Sequence, residues 1–320
     1  MSNRPNLVSV MAPARLHMGF MDLSGALGRD FGSIGVGLNE LYTQVNISPQ
    51  NELTVIGDDA ERAAKYVRLL CHSMGVSDAL RVEVAAAIPE HVGLGSGTQM
   101  ALAIGIGIAR FYGLPFTVRQ VAVLADRGAR SGIGIGIFEE GGLVVDGGRG
   151  PNTLTPPLLA RMAVPDDWRF ILAFDRRGQG LHGEQEISAF RTLPPFARSA
   201  AERLCYLLLM QALPAVAEND LERFGEVITA LQTAVGEHFA PVQGGVFTSA
   251  EVAAAMDYLH GKGARAIGQT SWGPTGFCLT SGAERAEEMA ANAALKFNNG
   301  HLEFKVFSPR NAGAEILLSG

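Results

Sequence analysis

Apolar side chains fall on every second position over residues 80–88, which predicts a strand with one buried face. Residues 89–98 are rich in glycine, and the apolar run over 98–112 predicts a helix that ends at Gly113. A strand, a glycine turn and a helix therefore follow one another directly. We call residues 89–98 the glycine loop.

The residues before this segment predict a mainly β start. Leu7–Gly19 predicts a strand, and Leu41–Ser48 with Glu52–Ile56 predicts a hairpin. Asp59–Met74 has the apolar spacing of a helix, and Gly75 is a plausible end to it.

The segments after the glycine loop are less regular. Thr117–Arg127 predicts a second helix with Thr117 as its N-cap. The glycine-punctuated stretch Gly132–Asp146 predicts a loop followed by a strand. The composition becomes loop-like at residues 147–151, so we expect two domains, at residues 1–155 and 156–320.

The second half mixes both element types without a regular βαβ period, which favours an α+β fold. Its predicted helices are Pro195–Leu213, Asp220–Val235, Ser249–Gly261 and Glu284–Phe297, and its predicted strands are Trp168–Asp175, Ala264–Gly268, Thr275–Thr280 and His301–Phe307.

Composition excludes several classes of protein. With 47% hydrophobic and 18% charged residues, the 320-residue chain can bury a sizeable core. The net charge of -6 and the absence of a long basic run exclude nucleic acid as the expected partner. The longest apolar windows, Met100–Ile108 and Leu204–Leu213, are shorter than the ~20 residues that span a bilayer, so no membrane segment is expected.

Three scattered cysteines, Cys71, Cys205 and Cys278, lie among apolar residues and form no CxxC pair. Reduced thiols are therefore expected, which is typical of a reducing compartment. No signal peptide is apparent, so we expect a cytoplasmic protein.

The glycine loop has the chemistry of an anion site. Glycines allow the backbone to approach a ligand closely, and the free N–H groups at the start of the helix favour negative charge. The spacing fits neither Walker A, which needs a lysine, nor the dinucleotide fingerprint G-x-G-x-x-G. On its own the loop could also be a tight turn without a ligand.

Two further segments make the interpretation of the glycine loop more specific. Residues 89–98 resemble the P-x-x-x-G-L-G-S-S loop of the GHMP superfamily, the group of galactokinase, homoserine kinase, mevalonate kinase and phosphomevalonate kinase. Residues 12–19 resemble its N-terminal substrate motif, and residues 268–276 resemble its C-terminal glycine-rich motif. The resemblance implies an α+β GHMP-kinase fold, in which an N-terminal domain like a ribosomal-protein fold and a C-terminal ferredoxin-like domain enclose the site.

The chain departs from the kinases of this superfamily. Many of them carry a catalytic aspartate after the second helix of the loop domain, but residues 127–142 contain none, and Glu139 and Glu140 fall later. Four segments instead resemble the β-ribofuranosylaminobenzene 5'-phosphate synthase family of methanopterin biosynthesis: residues 15–23, 28–35, 130–134 and 183–186.

This resemblance implies a glycosyltransferase that condenses 5-phosphoribosyl 1-pyrophosphate with 4-aminobenzoate or 4-hydroxybenzoate. Carbon dioxide and pyrophosphate leave, and because the attacking ring carbon bears the departing carboxylate, no base has to remove a ring proton. Mg²⁺ is expected to stabilise the leaving pyrophosphate, and the family implies a homodimer. The alternatives are an ATP-dependent kinase of the homoserine or mevalonate kinase type and a non-catalytic sensor of a phosphorylated metabolite.

The predicted catalytic residues are Arg15, His17 and Glu184. Arg15 and His17 lie two positions apart on a strand, so they share one face and could bind carboxylate or phosphate in the cleft. That face could instead be the polar side of an edge strand. Glu184 fits the family pattern, or it is a first-turn carboxylate favoured by the helix dipole.

The remaining predictions concern ligand binding. Phosphate binding is predicted for Gly93, Leu94, Gly95, Ser96, Gly97, Thr98, Arg130, Ser131 and Arg176, substrate binding for Asp30, Ser33, Gln269, Ser271 and Trp272, and Mg²⁺ binding for Asp22 and Ser96. Arg130 could instead satisfy helix carbonyls. Arg176, Asp22 and Asp30 could lie in solvated turns, and Trp272 could pack in the core.

Overall fold

The computed structural model describes residues 4–177 and 192–320. The strands are β1 (Leu7–Asp22), β2 (Phe31–Pro49), β3 (Thr54–Gly57), β4 (Leu80–Ala86), β5 (Leu143–Asp146), β6 (Leu158–Met162), β7 (Trp168–Asp175), β8 (Arg265–Gln269), β9 (Gly276–Ser281), β10 (Leu302–Phe307) and β11 (Glu315–Ser319). The helices are α1 (Ala60–Met74), α2 (Ser96–Phe111), α3 (Val118–Leu124), α4 (Ile133–Glu140), α5 (Arg198–Leu207), α6 (Leu213–Ala217), α7 (Leu221–Gln243), α8 (Ala250–Gly261) and α9 (Ala283–Lys296). A π-helical turn, Leu208–Ala212, joins α5 to α6.

The first sheet is built on the long antiparallel pair β1 and β2. Its order is β11-β1-β2-β4-β3, and β5 and β6 continue from β2. Helix α2 is apolar on nearly all sides, because it packs between this sheet and α1, α3 and α4. The register of β1 against β2 shifts at Pro13/Ala14 and at His17/Gly19. These irregularities flank Arg15 and His17, and bulges of this kind re-aim side chains beside active sites.

The second sheet has the ferredoxin-like arrangement. Its four strands are antiparallel in the order β10-β7-β9-β8, and α8 and α9 pack against it. Leu16 and Met18 of β1 belong to the same buried cluster as Trp168 of β7 and Phe224 of α7. The two sheets therefore share one hydrophobic core, and the predicted α+β fold with a ferredoxin-like second half is confirmed.

Two sequence predictions of local structure are wrong. The expected hairpin is absent from the described chain, because β3 pairs in parallel with β4 across the crossover helix α1. Residues 132–146 contain a helix, α4, before β5. Glycine suits this helix because a Cβ on Gly134 would lie 3.0 Å from Thr98 and one on Gly136 would lie 2.7 Å from Val144.

The division into domains also falls later than residue 155. Strand β6 pairs with β5 in the first sheet, and the next strand, β7, starts the second sheet. The C-terminal strand β11 returns to pair with β1. The first unit therefore extends to β6 and includes the last strand of the chain.

One helical run among the described residues, Arg198–Ala217, is long and apolar enough to cross a bilayer by length and composition. It is longer than the apolar window seen in the sequence, because α5, the π-turn and α6 are continuous. Core helices of proteins without membrane spans pass the same test, so the run is weak evidence for a membrane.

Candidate active site

The glycine loop turns the chain from β4 into α2. Gly93 and Gly95 adopt left-handed backbone angles, with φ of 75° and 83°. Helix α2 begins at Ser96, so its first N–H groups face the loop without partners inside the helix. This is the backbone geometry that binds anions.

Arg15 joins the loop to the second unit of the fold. Its Nη1 donates to the carbonyl oxygen of Gly93 at 2.8 Å and to Ser271 Oγ at 3.0 Å. The Thr270 hydroxyl donates to the same Gly93 oxygen at 2.8 Å. The three segments that carry the family resemblance therefore meet at one point between the two sheets, including the predicted residues Arg15, Gly93 and Ser271.

Arg62, on the first turn of α1, is a neighbour of the loop that no sequence motif marks. Its Nη1 donates to Ser96 Oγ at 3.3 Å, and its guanidinium forms ion pairs with Asp59 and with Glu90 of the loop. Burial raises the pKa of the Asp59 carboxyl, although Arg62 opposes that rise. A phosphate on the loop would compete with these two carboxylates for Arg62.

Arg127, which follows α3, closes the other side of the loop. A Cβ on Gly97 would lie 3.4 Å from Arg127 Nη2, so the guanidinium is in contact with the loop backbone. The same guanidinium lies over the Tyr66 ring at 5.5 Å and donates to its hydroxyl. Arginines from three different elements, Arg15, Arg62 and Arg127, thus surround the start of α2.

His17 is buried beside this point, with 3% of its surface exposed. Burial and the neighbouring Arg15 cation lower its pKa to about 3, so the imidazole is neutral at physiological pH. Its Nδ1 accepts from the Gly19 N–H at 3.2 Å, which places the proton on Nε2. Nε2 is buried and has no hydrogen-bond partner among the described residues, so the N–H donor of His17 is unused in this structure.

Gln269 and Trp272, two predicted substrate ligands, face the interior. The Gln269 amide accepts from the Thr248 N–H at 2.9 Å and donates to Gln243 at 3.1 Å. Trp272 is 4% exposed, and its ring lies 4.1 Å from the Phe239 ring. This burial matches the core-packing alternative for Trp272.

Ser33 and Ser131 belong to a buried network around Asp146. The Asp146 carboxylate accepts from Ser33 Oγ at 2.5 Å, from Ser131 Oγ at 3.3 Å, and from the N–H groups of Gly132 and Gly148 at 2.8 Å each. Burial raises the pKa of Asp146, and these hydrogen bonds oppose the rise. Ser33 is completely buried within this network.

Two predicted residues lie apart from the loop or outside the described chain. Arg176 is exposed at the end of β7, where it pairs with Glu303 at 2.9 Å. This exposed ion pair matches the solvated-turn alternative. Glu184 lies outside the described residues. Arg130 is half-buried next to Ser131 in the chain.

Asp22 and Ser96, the predicted magnesium ligands, lie far apart. Arg15 is in contact with Gly95, and Asp22 lies seven residues further along β1, which corresponds to ~23 Å of extended strand. The two side chains therefore cannot hold one ion in this conformation. No group of three or more metal-ligating residues occurs within residues 4–177 and 192–320.

Asp22 instead lines a cavity of about 400 Å³ at the turn between β1 and β2, which we call the turn cavity. Its apolar lining includes Met21, Leu27, Phe31 and Leu159. Its charged lining consists of Asp22, Arg29 and Asp30. A larger groove of about 800 Å³ runs along α7, but it includes no residue of the three motif segments.

The glycine loop, its arginines and the two joined sheets define a two-domain protein of the GHMP kinase type. Residues 60–138 match the family model of the GHMP kinases N terminal domain, and residues 212–299 match that of the GHMP kinases C terminal. The homoserine kinase of Cytophaga hutchinsonii shares the fold, with a TM-score of 0.67 at 16% identity over 99% of each chain.

Curated relatives narrow this class to one family. The β-ribofuranosylphenol 5'-phosphate synthase of Archaeoglobus fulgidus is 31% identical over 97% of this chain and 99% of its own length. The protein of the same name from Methanothermobacter thermautotrophicus is 29% identical over 96% and 98%. The chain belongs to the β-ribofuranosylphenol 5'-phosphate synthase family and is an enzyme, which confirms the resemblance seen in its motifs.

Proposed function

We propose that this enzyme condenses 5-phosphoribosyl 1-pyrophosphate with 4-hydroxybenzoate, or with 4-aminobenzoate, and releases carbon dioxide and pyrophosphate. The product is a β-ribofuranosyl-arene 5'-phosphate, a precursor in methanopterin biosynthesis. The name of the curated relatives includes a phenol, which favours the hydroxylated acceptor for this chain too. The reaction is a phosphoribosyl transfer to carbon.

The arrangement of Arg15, Arg62 and Arg127 around the glycine loop carries this proposal. A guanidinium group can donate two parallel hydrogen bonds to two oxygens of one phosphate. Backbone N–H groups at the start of a helix add further donors. A pyrophosphate that leaves C1' of the ribose gains negative charge as the bond breaks. Donors fixed in advance around the loop stabilise that charge most strongly in the transition state.

The side chains of helix α4 favour a transfer reaction in which no base removes a proton from the acceptor. Gly134 packs against Thr98 at the start of α2, so α4 offers no side chain there. The two carboxylates of α4, Glu139 and Glu140, lie at its far end, and Glu139 is paired with Arg119 at 3.2 Å. This arrangement disfavours a kinase that relies on a carboxylate in α4 to deprotonate a hydroxyl.

We propose that Mg²⁺ takes part, bound mainly through the substrate. Mg²⁺ is commonly held by one or two carboxylates and by phosphate oxygens, so a cage of protein ligands is not required. Glu90 and Ser96 are the loop residues that could complete such a site once a phosphate has replaced Glu90 on Arg62. The ion would neutralise part of the charge on the departing pyrophosphate. A homodimer and a cytoplasmic location remain predictions.

The proposal is tested with phosphoribosyl pyrophosphate, Mg²⁺ and 4-hydroxybenzoate or 4-aminobenzoate labelled in the carboxyl group. We expect labelled carbon dioxide and pyrophosphate in equal amounts. ATP consumption with a hydroxylated acceptor and no labelled gas would identify a kinase and overturn the proposal. Binding of phosphoribosyl pyrophosphate without turnover of either benzoate would identify a sensor.

A further inference from the structure

The two arginines on either side of the glycine loop differ in their partners. Arg62 forms ion pairs with Asp59 and with Glu90. Arg127 forms no ion pair within the described chain and donates to the Tyr66 hydroxyl. One cation is therefore shared by two carboxylates beside the start of α2. A phosphate oxygen that contacts Arg62 has to displace one of these carboxylates.

Glu90 is the carboxylate that can leave. Asp59 is the N-cap residue of α1 and lies one turn from Arg62 on the same helix, and its side chain makes no cap hydrogen bond. The Asp59 side chain is 23% exposed, against 43% for that of Glu90, which lies on the glycine loop. Partly exposed ion pairs are weak, so an exchange of partners costs little. Asp59 thus holds the guanidinium in place while Glu90 can turn into water.

The Glu90 carboxylate lies on the side of Arg62 that faces the phosphate site. Its Oε1 is 2.5 Å from Arg62 Nη1, and the same nitrogen donates to Ser96 Oγ at 3.3 Å. Ser96 is the first residue of α2, whose first N–H groups have no partner inside the helix. A carboxylate and a phosphate both accept hydrogen bonds from a guanidinium through two oxygens. Glu90 and a phosphate on the loop therefore need the same donor.

We infer that Glu90 is an internal competitor of pyrophosphate for Arg62. It gives up the guanidinium when phosphoribosyl pyrophosphate binds and takes it up again as pyrophosphate leaves. The inference rests on the proposed function for the identity of the ligand. In this role Glu90 acts through Arg62 and is a positioning residue. A loop with several arginines and helix N–H groups holds pyrophosphate firmly, and a competing carboxylate of the protein promotes its release.

Titration calorimetry with inorganic pyrophosphate, in the absence of Mg²⁺, tests the competition. Glu90→Gln keeps the size of the side chain and removes its charge, so it should tighten the binding of pyrophosphate about tenfold. Glu61→Gln, on the same turn of α1, is the matched control, because Glu61 is 88% exposed and pairs with Lys65. It removes the same charge and should leave the affinity unchanged. Unchanged or weaker binding in Glu90→Gln, or equal gains in both variants, would overturn the inference.

The same titration in Arg62→Gln separates competition from direct repulsion. Without the guanidinium there is nothing to compete for, so adding Glu90→Gln should tighten the binding of pyrophosphate only about twofold. Such a difference between the two backgrounds measures the coupling of Glu90 to Arg62. A full tenfold gain in the Arg62→Gln background would show that Glu90 repels the ligand by itself, and the inference would be wrong.

Release of labelled carbon dioxide separates this inference from the proposed function. We expect the wild type to release it, and added pyrophosphate to inhibit Glu90→Gln at lower concentrations than the wild type. If no carbon dioxide forms but Glu90→Gln binds pyrophosphate more tightly, the proposed reaction fails and the competition stands. If carbon dioxide forms and both proteins bind pyrophosphate alike, the competition fails and the reaction stands.

Discussion

The two ends of the β1–β2 pair differ in how they present polar groups. At the loop end, around Gly93 and Ser96, hydrogen-bond donors come from backbone N–H groups and from three arginines. At the turn end, the surface is largely apolar and its charged groups are Asp22, Arg29 and Asp30. The first suits a phosphate, whose charge is spread over many oxygens, whereas the second offers few polar groups on an apolar surface.

The anion site at the loop end is formed by the backbone, so a change in the backbone conformation of the loop should have the largest effect on activity. Gly93→Ala adds a Cβ that would lie 2.7 Å from the Thr270 carbonyl oxygen at a left-handed φ of 75°. Because a displacement of 1 Å at a reacting group can cost about 100-fold in rate, we expect a loss of that size in kcat/KM. Steady-state release of carbon dioxide measures it.

Gly75→Ala is the matched control. Gly75 has a φ of 70° and no atom within 4 Å of the added Cβ. It should carry the same backbone strain, about 1–2 kcal/mol, without loss of activity. Equal activity losses in the two variants would show that strain, and not contact with Thr270, limits the loop.

The charge at the loop end gives the next largest effect. Arg62→Gln leaves Asp59 and Glu90 as uncompensated carboxylates beside the phosphate site, so the KM for phosphoribosyl pyrophosphate should rise about 30-fold. Adding Glu90→Gln removes one of these charges and should restore part of the loss. A double variant as impaired as the single one would exclude repulsion by Glu90 as the cause.

His17 lies on β1 between the two ends, and its buried imidazole should make the stability of the protein depend on pH. The native imidazole stays neutral down to about pH 3, whereas an exposed histidine of the unfolded chain takes up a proton near pH 6.5. The contribution of His17 to stability should therefore be constant above pH 6.5 and fall as pH decreases from 6.5 towards 3, by on the order of 2 kcal/mol at pH 5.

Urea unfolding at pH 7.5 and pH 5 measures the difference in the free energy of unfolding between the two pH values. His17→Gln should remove most of the difference between the two pH values, while His72→Gln, at an exposed position, should keep it. An unchanged slope in His17→Gln would mean that another group causes the acid sensitivity.

The smallest effect is expected at Ser131. Its hydroxyl is one of four donors to Asp146, so Ser131→Ala should cost about 1 kcal/mol of stability and change the KM for phosphoribosyl pyrophosphate less than threefold. Thermal unfolding and steady-state kinetics check the two values. A tenfold rise in that KM would restore Ser131 to the phosphate site predicted from the sequence.

The sequence predicted the loop end far better than the turn end. Gly93, Gly95 and Arg15 stand in segments whose spacing carries the anion chemistry and the family resemblance. Arg62 could not be selected, because it lies on a helix 34 residues before Ser96 and nothing local marks the face that meets the loop. The hairpin predicted for Glu52–Ile56 was wrong because a short strand does not specify its partner, and α4 was missed because its glycines serve close packing.

The separation of Asp22 from Ser96 also lay beyond sequence reasoning. Both side chains offer oxygen atoms to a metal ion, and only the length of β1 shows that they lie at different ends of the β1–β2 pair. Ser33, Gln269 and Trp272 stand in or near the right segments but face the interior. Membership of a motif therefore predicted where these residues lie in the fold but not that their side chains are buried.

The central claim is that the glycine loop and its arginines hold phosphoribosyl pyrophosphate. Steady-state kinetics of Arg62→Gln and Arg29→Gln, with phosphoribosyl pyrophosphate varied, test it most directly. We expect Arg62→Gln to raise the KM for phosphoribosyl pyrophosphate and Arg29→Gln, at the turn end, to leave it unchanged. If Arg62→Gln leaves this KM unchanged, or if Arg29→Gln raises it as much, the assignment of the loop is wrong.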